Sequence, residues 1–109
     1  MKAWLLLALA VVSEVIADSS LKASQGFTRL VPSILAVVGY LSALFLFSTS
    51  LKTLPLSLAY AVWAGLGITG AVLVGVFFWR EQLTLLHIVA IALIIAGIVL
   101  INYASPDAV

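Results

Sequence analysis

The chain has 109 residues, enough for one domain, and 65% of them are hydrophobic while 8% are charged; soluble domains run at about 45–50% and 25%. Nine charged side chains cannot cover a compact body of this size, so lipid is the solvent expected for most of its surface. A net charge of +1, with aromatics dispersed through apolar runs, excludes a nucleic-acid binder, and the lack of cysteine removes thiolate metal sites, iron–sulfur clusters, thiol nucleophiles and disulfides.

A helix that crosses a hydrocarbon core of about 30 Å needs about 20 mostly apolar residues. Four stretches meet that length, 3–21, 33–51, 56–78 and 85–103, so the expected fold is an all-α membrane protein whose single four-helix domain covers 1–109. The beginning, Met1-Lys2-Ala3-Trp4 before an apolar run, imitates a signal peptide, but Glu14 follows at once and three further spans hold the protein in the membrane.

Glu14 lies about midway along the first span. An ionised carboxylate is costly in hydrocarbon and marks a functional site by default. Its charged form is disfavoured there, which suits it to exchanging a proton for a cation. Asp18 follows one helical turn later on the same face, and Lys22 one turn beyond that. Two readings of Asp18 stand: a surface ion pair with Lys22, or a carboxylate coupled to Glu14 that changes the proton count or the cation preference.

The first joint, 22–32, ends at Pro32, and the second, 52–55, ends at Pro55; both prolines fall where a helix begins and a missing N–H costs little. Tyr40 lies about a third of the way along the second span. Tyr60 and Trp63 share one face early in the third, too deep for headgroup anchors such as Trp4, Trp79 and Tyr103. Aromatic faces attract organic cations, and beside a membrane carboxylate these three outline a cation site.

Gly65-Leu66-Gly67-Ile68-Thr69-Gly70 spells the dinucleotide-binding pattern, but it interrupts an apolar run with no preceding strand and no acid about 20 residues on. It reads instead as a flexible or kinked point, with Ala61/Gly65 and Ala71/Gly75 as small pairs for close helix approach. On the fourth span His87 is an interfacial polar residue, and Ala90 and Gly97 put small residues on one face, a pattern for packing between subunits. No phosphate-cradling loop or zinc-helix motif is present, so an ion gradient is the expected energy source; no enzymatic activity, cofactor or metal is expected.

Lys2 and Lys52 fall on one side of the membrane and Lys22, Arg29 and Arg80 on the other. So small a bias permits insertion in both orientations, and hence an antiparallel dimer whose two copies supply the inverted halves that larger transporters carry in one chain.

With these residues assembled, the sequence resembles the small multidrug resistance family over nearly its whole length. The matching pieces are Ser13-Glu14-Val15, Leu21-Lys22, Gly26-Phe27-Thr28-Arg29-Leu30 with Pro32-Ser33, Tyr40, Leu54-Pro55, Ala59-Tyr60-Ala61-Val62-Trp63, Gly65-Leu66-Gly67, and Gly97 with Asn102. The resemblance implies an antiparallel dual-topology homodimer in the bacterial inner membrane, with a heterodimer as the variant, exporting hydrophobic or quaternary ammonium cations in exchange for protons. It further implies that Glu14 of both subunits binds either protons or substrate. Tyr40, Tyr60 and Trp63, with Ala10 and Asp18, would contact substrate, and Gly65 and Gly67 would serve as the hinge of the third span.

The stretches around Glu14 and from Gly26 to Ser33 look more like the quaternary ammonium exporters than the guanidinium exporters of the family. Two departures touch the implied pocket: Asp18 stands where relatives usually carry a small hydroxyl residue, and Ala64 replaces a common Ser or Thr. Alternatives are export of guanidinium, polyamines or osmolytes by the same fold, or a non-transporting subunit that packs against a larger partner.

Overall fold

The computed structural model describes residues 2–104 and contains four helices: α1 (Lys2–Ala23), α2 (Leu30–Ser50), α3 (Leu56–Phe78) and α4 (Leu85–Ala104). All four are long and apolar enough to cross a membrane. The four-span, all-α expectation holds, with boundaries within two residues of those expected except at the start of α2, which begins at Leu30 and takes Pro32 into its first turn. The first four N–H groups of a helix have no partner within it, so a proline there sacrifices no hydrogen bond.

The joints are compact. Between α1 and α2 the chain turns through left-handed backbone at Gln25, Gly26 and Phe27, and a Cβ added at Gly26 would meet nothing within 4 Å, so glycine serves the conformation and not a contact. The buried Ser24 pins this turn: its hydroxyl donates to Leu21 O at 2.6 Å and accepts from Phe27 N–H at 3.1 Å. At the other end of α2, Ser50 Oγ donates to Phe47 O at 2.6 Å, and Leu54 tucks into the core. Thr84 and His87 form a reciprocal cap on α4, Thr84 N–H donating to His87 Nδ1 at 3.1 Å and His87 N–H to Thr84 Oγ1 at 3.4 Å. His87 thus occupies the place that Glu or Gln takes in a capping box.

α1 lies between α2 and α3, whereas α4 packs on α3. Lipid offers helices little hydrophobic reason to associate, so membrane helices gain contact by bringing backbones close at small residues. Ala17 of α1 and Ala36 and Ala43 of α2 are fully or almost fully buried, and a Cβ placed on Gly39 would stand 2.8 Å from Ala17 Cβ. Gly70 of α3 receives Val15 of α1, and Gly65 receives Ile94 and Ile98 of α4. Of the two small pairs read from α3, Gly65 therefore serves helix packing, while Gly75 is covered by Glu81 of the loop that follows. α3 is helical without interruption across these glycines.

No residue of α4 is buried, and a Cβ on Gly97 would meet nothing within 4 Å. The principal extents are 45 × 34 × 18 Å, so the short dimension is less than two helix diameters of about 10–12 Å. Many large apolar side chains are exposed on this slab, as a lipid solvent allows.

Gly39→Ala should lower stability by about 1–3 kcal/mol, the usual effect of overfilling a close contact. Ala17→Gly in the same chain should recover most of the loss. Equilibrium unfolding of the purified protein in mixed micelles measures both.

Candidate cation-binding site

A cavity of about 420 Å³ opens among α1, α2 and α3, lined by Glu14, Tyr40, Leu44, Tyr60, Trp63, Ala64 and Ile68. Among the described residues, Glu14 is the only charged one on its wall. The carboxylate reaches the backbone of α3: a Cβ added to Gly67 would stand 2.8 Å from Glu14 Oε1. Only glycine leaves that space, which gives Gly67 a duty in the site whether or not the helix bends there.

The aromatic wall is built by mutual support. Tyr60 and Trp63, three residues apart on one face of α3, meet edge-on with ring centroids 6.0 Å apart. Phe47 of α2 stacks on Trp63 at 4.3 Å and lies 6.4 Å from Tyr60. Each such pair contributes roughly 0.5–1.5 kcal/mol beyond its buried area and fixes ring orientation. Phe47 was not among the residues singled out from the sequence. It lies among the apolar residues of α2, and only the crossing of α2 and α3 distinguishes it from its lipid-facing neighbours. Trp63 Nε1 is buried and is the one such side-chain atom without a hydrogen-bond partner among the described residues. An unpaired buried donor costs about 1–3 kcal/mol, so this N–H is available to an acceptor entering the cavity or to a carboxylate that shifts toward it.

The remaining candidates take different places. Ala10 is fully buried one turn before Glu14, in the core with Leu7, Phe47, Leu54 and Ala59, and Trp63 packs against that cluster. It therefore backs the aromatic wall from behind and is absent from the cavity lining. Asp18 does not line the cavity either; it accepts a hydrogen bond from Tyr40 Oη at 2.5 Å. Of the two readings of Asp18, the ion pair with Lys22 does not form. Lys22 Nζ instead meets Glu81 Oε2 at 3.4 Å and lies 5.4 Å from the centre of the Trp79 ring.

Glu81 reaches Lys22 because the loop after α3 folds back on it. Arg80 adopts left-handed backbone, Glu81 N–H donates to Gly75 O at 2.9 Å, and the Glu81 side chain covers Gly75. Two groups 59 positions apart thus outcompete a neighbour one turn away. Ala90 is exposed and Gly97 faces open space, both on the helix that contributes nothing to the core.

The sequence is similar to those of known proteins. The Small Multidrug Resistance protein family profile matches residues 2–94. The quaternary ammonium compound-resistance protein QacF of Klebsiella aerogenes is 44% identical over 105 residues, 96% of either chain. The quaternary ammonium compound-resistance protein QacE of Escherichia coli is 42% identical over 105 residues, again 96% of either chain. The multidrug resistance protein EbrB of Bacillus subtilis (strain 168) is 43% identical over 108 residues, 99% of this chain and 92% of that one.

Gly67→Ala should push the Glu14 carboxylate off its position. An off-rotamer side chain costs about 0.5–1.5 kcal/mol, so cation affinity should fall roughly two- to tenfold. Titration of tetraphenylphosphonium, followed by tryptophan fluorescence, checks this.

Proposed function

The chain belongs to the small multidrug resistance family and is a multi-pass cell-membrane protein of multidrug efflux, and on that basis we propose that it exports hydrophobic or quaternary ammonium cations in exchange for protons. The observation that carries this reading is a single carboxylate, Glu14, in an otherwise uncharged cavity walled by Tyr40, Tyr60 and Trp63. Two relatives named for resistance to quaternary ammonium compounds support the substrate class.

The chemistry follows from charge. A cation 4 Å from a carboxylate gains about 4 kcal/mol at an effective dielectric constant of 20. Protonating Glu14 removes that attraction, roughly a thousandfold in affinity. The aromatic faces add about 0.5–2 kcal/mol through cation–π contact and do so for any cation that exposes little polar surface. Aromatic contact thus selects the class of cation, while the carboxylate decides whether it is held. Proton and cation compete for one site, and that competition couples their movements when the site opens alternately to the two sides.

One chain cannot enclose this site. Tyr60 is 57% exposed although it lines the cavity, and the slab is too thin to cover Glu14 from every direction. A second copy inserted in the opposite orientation, as the near-even Lys and Arg distribution permits, would bring a second Glu14 to the open side. The exposed α4, with Ala90 and Gly97 as its small residues, supplies a packing face for that dimer. Gly65 and Gly67 would let α3 bend as the dimer alternates.

Ala64 stands in the lining with no hydroxyl to share with Glu14. The site therefore favours apolar cations over guanidinium, which needs hydrogen-bond acceptors around its plane.

Protein reconstituted in liposomes should move protons on addition of tetraphenylphosphonium, read with an internal pH dye, and Glu14→Gln should abolish the movement. Proton movement with guanidinium alone would transfer the chain to guanidinium export, and a Glu14→Gln variant that still accumulates substrate when driven by a pH gradient would refute the assignment. Purified protein that binds neither cation would return the chain to a non-transporting role.

A further inference from the structure

Tyr40 separates two cavities. Tyr40 lines the cavity that holds Glu14, while its hydroxyl donates to Asp18. Asp18 belongs to the second cavity, about 230 Å³, on the far side of that bond, together with Ser19, Lys22, Trp79 and Glu81. The phenol's hydroxyl is thus committed to a residue outside the lining of the Glu14 cavity.

Asp18 is free for this task because Lys22 is not. The ammonium one turn away on α1 is drawn to Glu81 and lies near the Trp79 ring. With Lys22 engaged, the nearest partner the structure gives Asp18 is the Tyr40 hydroxyl on α2. A hydrogen bond to a carboxylate is about twice as strong as one between neutral groups, enough to hold one tyrosine rotamer against its alternatives.

We propose that Asp18 is a positioning residue that anchors Tyr40 by its hydroxyl, so that the site offers a cation an aromatic face in place of a hydrogen-bonding group. Asp18 then sets specificity without touching substrate. This inference rests on the reading of the Glu14 cavity as a cation site. A tyrosine released from Asp18 can turn its hydroxyl toward Glu14 or the ligand, which helps a cation rich in N–H groups and takes ring contact from an apolar one.

The test has two arms. In the first, 13C-labelled tyrosine is observed by NMR at Cζ in the full-length protein in bicelles, with Tyr40 identified by its loss in Tyr40→Phe. The Tyr40 signal should move in Asp18→Ala and stay near its wild-type position in Asp18→Asn, which keeps the acceptor and loses the charge. An unmoved signal in Asp18→Ala would overturn the proposal, whatever the protein transports.

The second arm is a binding cycle with tetraphenylphosphonium and guanidinium. Asp18→Ala should weaken tetraphenylphosphonium binding about tenfold and shift the ratio of the two affinities toward guanidinium. Asp18→Asn should recover most of that loss, and Asp18→Ala should cost nothing further in a Tyr40→Phe background, because both changes break the same contact. Additive effects, or an Asp18→Asn variant as impaired as Asp18→Ala, would overturn it in favour of a direct role for the charge. Failure of the wild type to bind either cation would refute the cation-site reading and the specificity role with it, while the NMR signal still decides whether Asp18 holds Tyr40.

Discussion

Among the described residues, no cation pairs with Glu14. The nearest basic residue further along its helix, Lys22, is bound to Glu81 across the α1–α3 groove, and that ion pair is the only one among the described residues. A carboxylate in a low-dielectric setting must be neutralised by something. With no Lys, Arg or His on the cavity wall, what remains is a proton or a cation from outside. The other features of the site can be understood as ways of keeping that choice open and of selecting which cation makes it.

Space and shape come from residues that carry no charge. Gly67 admits the carboxylate against α3, Gly39 lets α1 and α2 approach at Ala17, and Gly65 seats the isoleucines of α4. Phe47 holds Trp63 by stacking, and the buried Ala10 lies in the core against which Trp63 packs. Many polar groups are satisfied outside the cavity lining: Asp18 by Tyr40, Lys22 by Glu81, Ser24 and Ser50 within their own turns. These groups are thus engaged away from the cavity wall. The Tyr60 hydroxyl and the unpaired Trp63 Nε1 are the polar atoms left on the aromatic wall, and the latter lies on the residue most central to it.

The spans were legible because hydrocarbon thickness dictates helix length, and polar joints interrupt the apolar runs at Lys22–Pro32, Lys52–Pro55 and Trp79–Thr84. Glu14 was legible because a carboxylate amid such a run has few structural reasons to be there. Tyr60 and Trp63 were legible because helical spacing puts them on one face. What stayed hidden depends on how helices cross. Phe47 resembles any lipid-facing aromatic until α2 meets α3. Local spacing joins Lys22 to Asp18, yet the loop after α3 brings Glu81 back to claim it, and the left-handed turn at Arg80 that permits this falls on a residue whose side chain gives no hint of it. His87, polar at a span end, proved to be a helix cap through its register with Thr84.

The central claim is that cation and proton exclude each other at Glu14. Adding tetraphenylphosphonium to purified protein in weakly buffered detergent, while recording both heat and released protons, tests it directly. Wild-type protein should release protons as it binds and Glu14→Gln should release none. Tight binding by the wild type with no proton released would contradict the account.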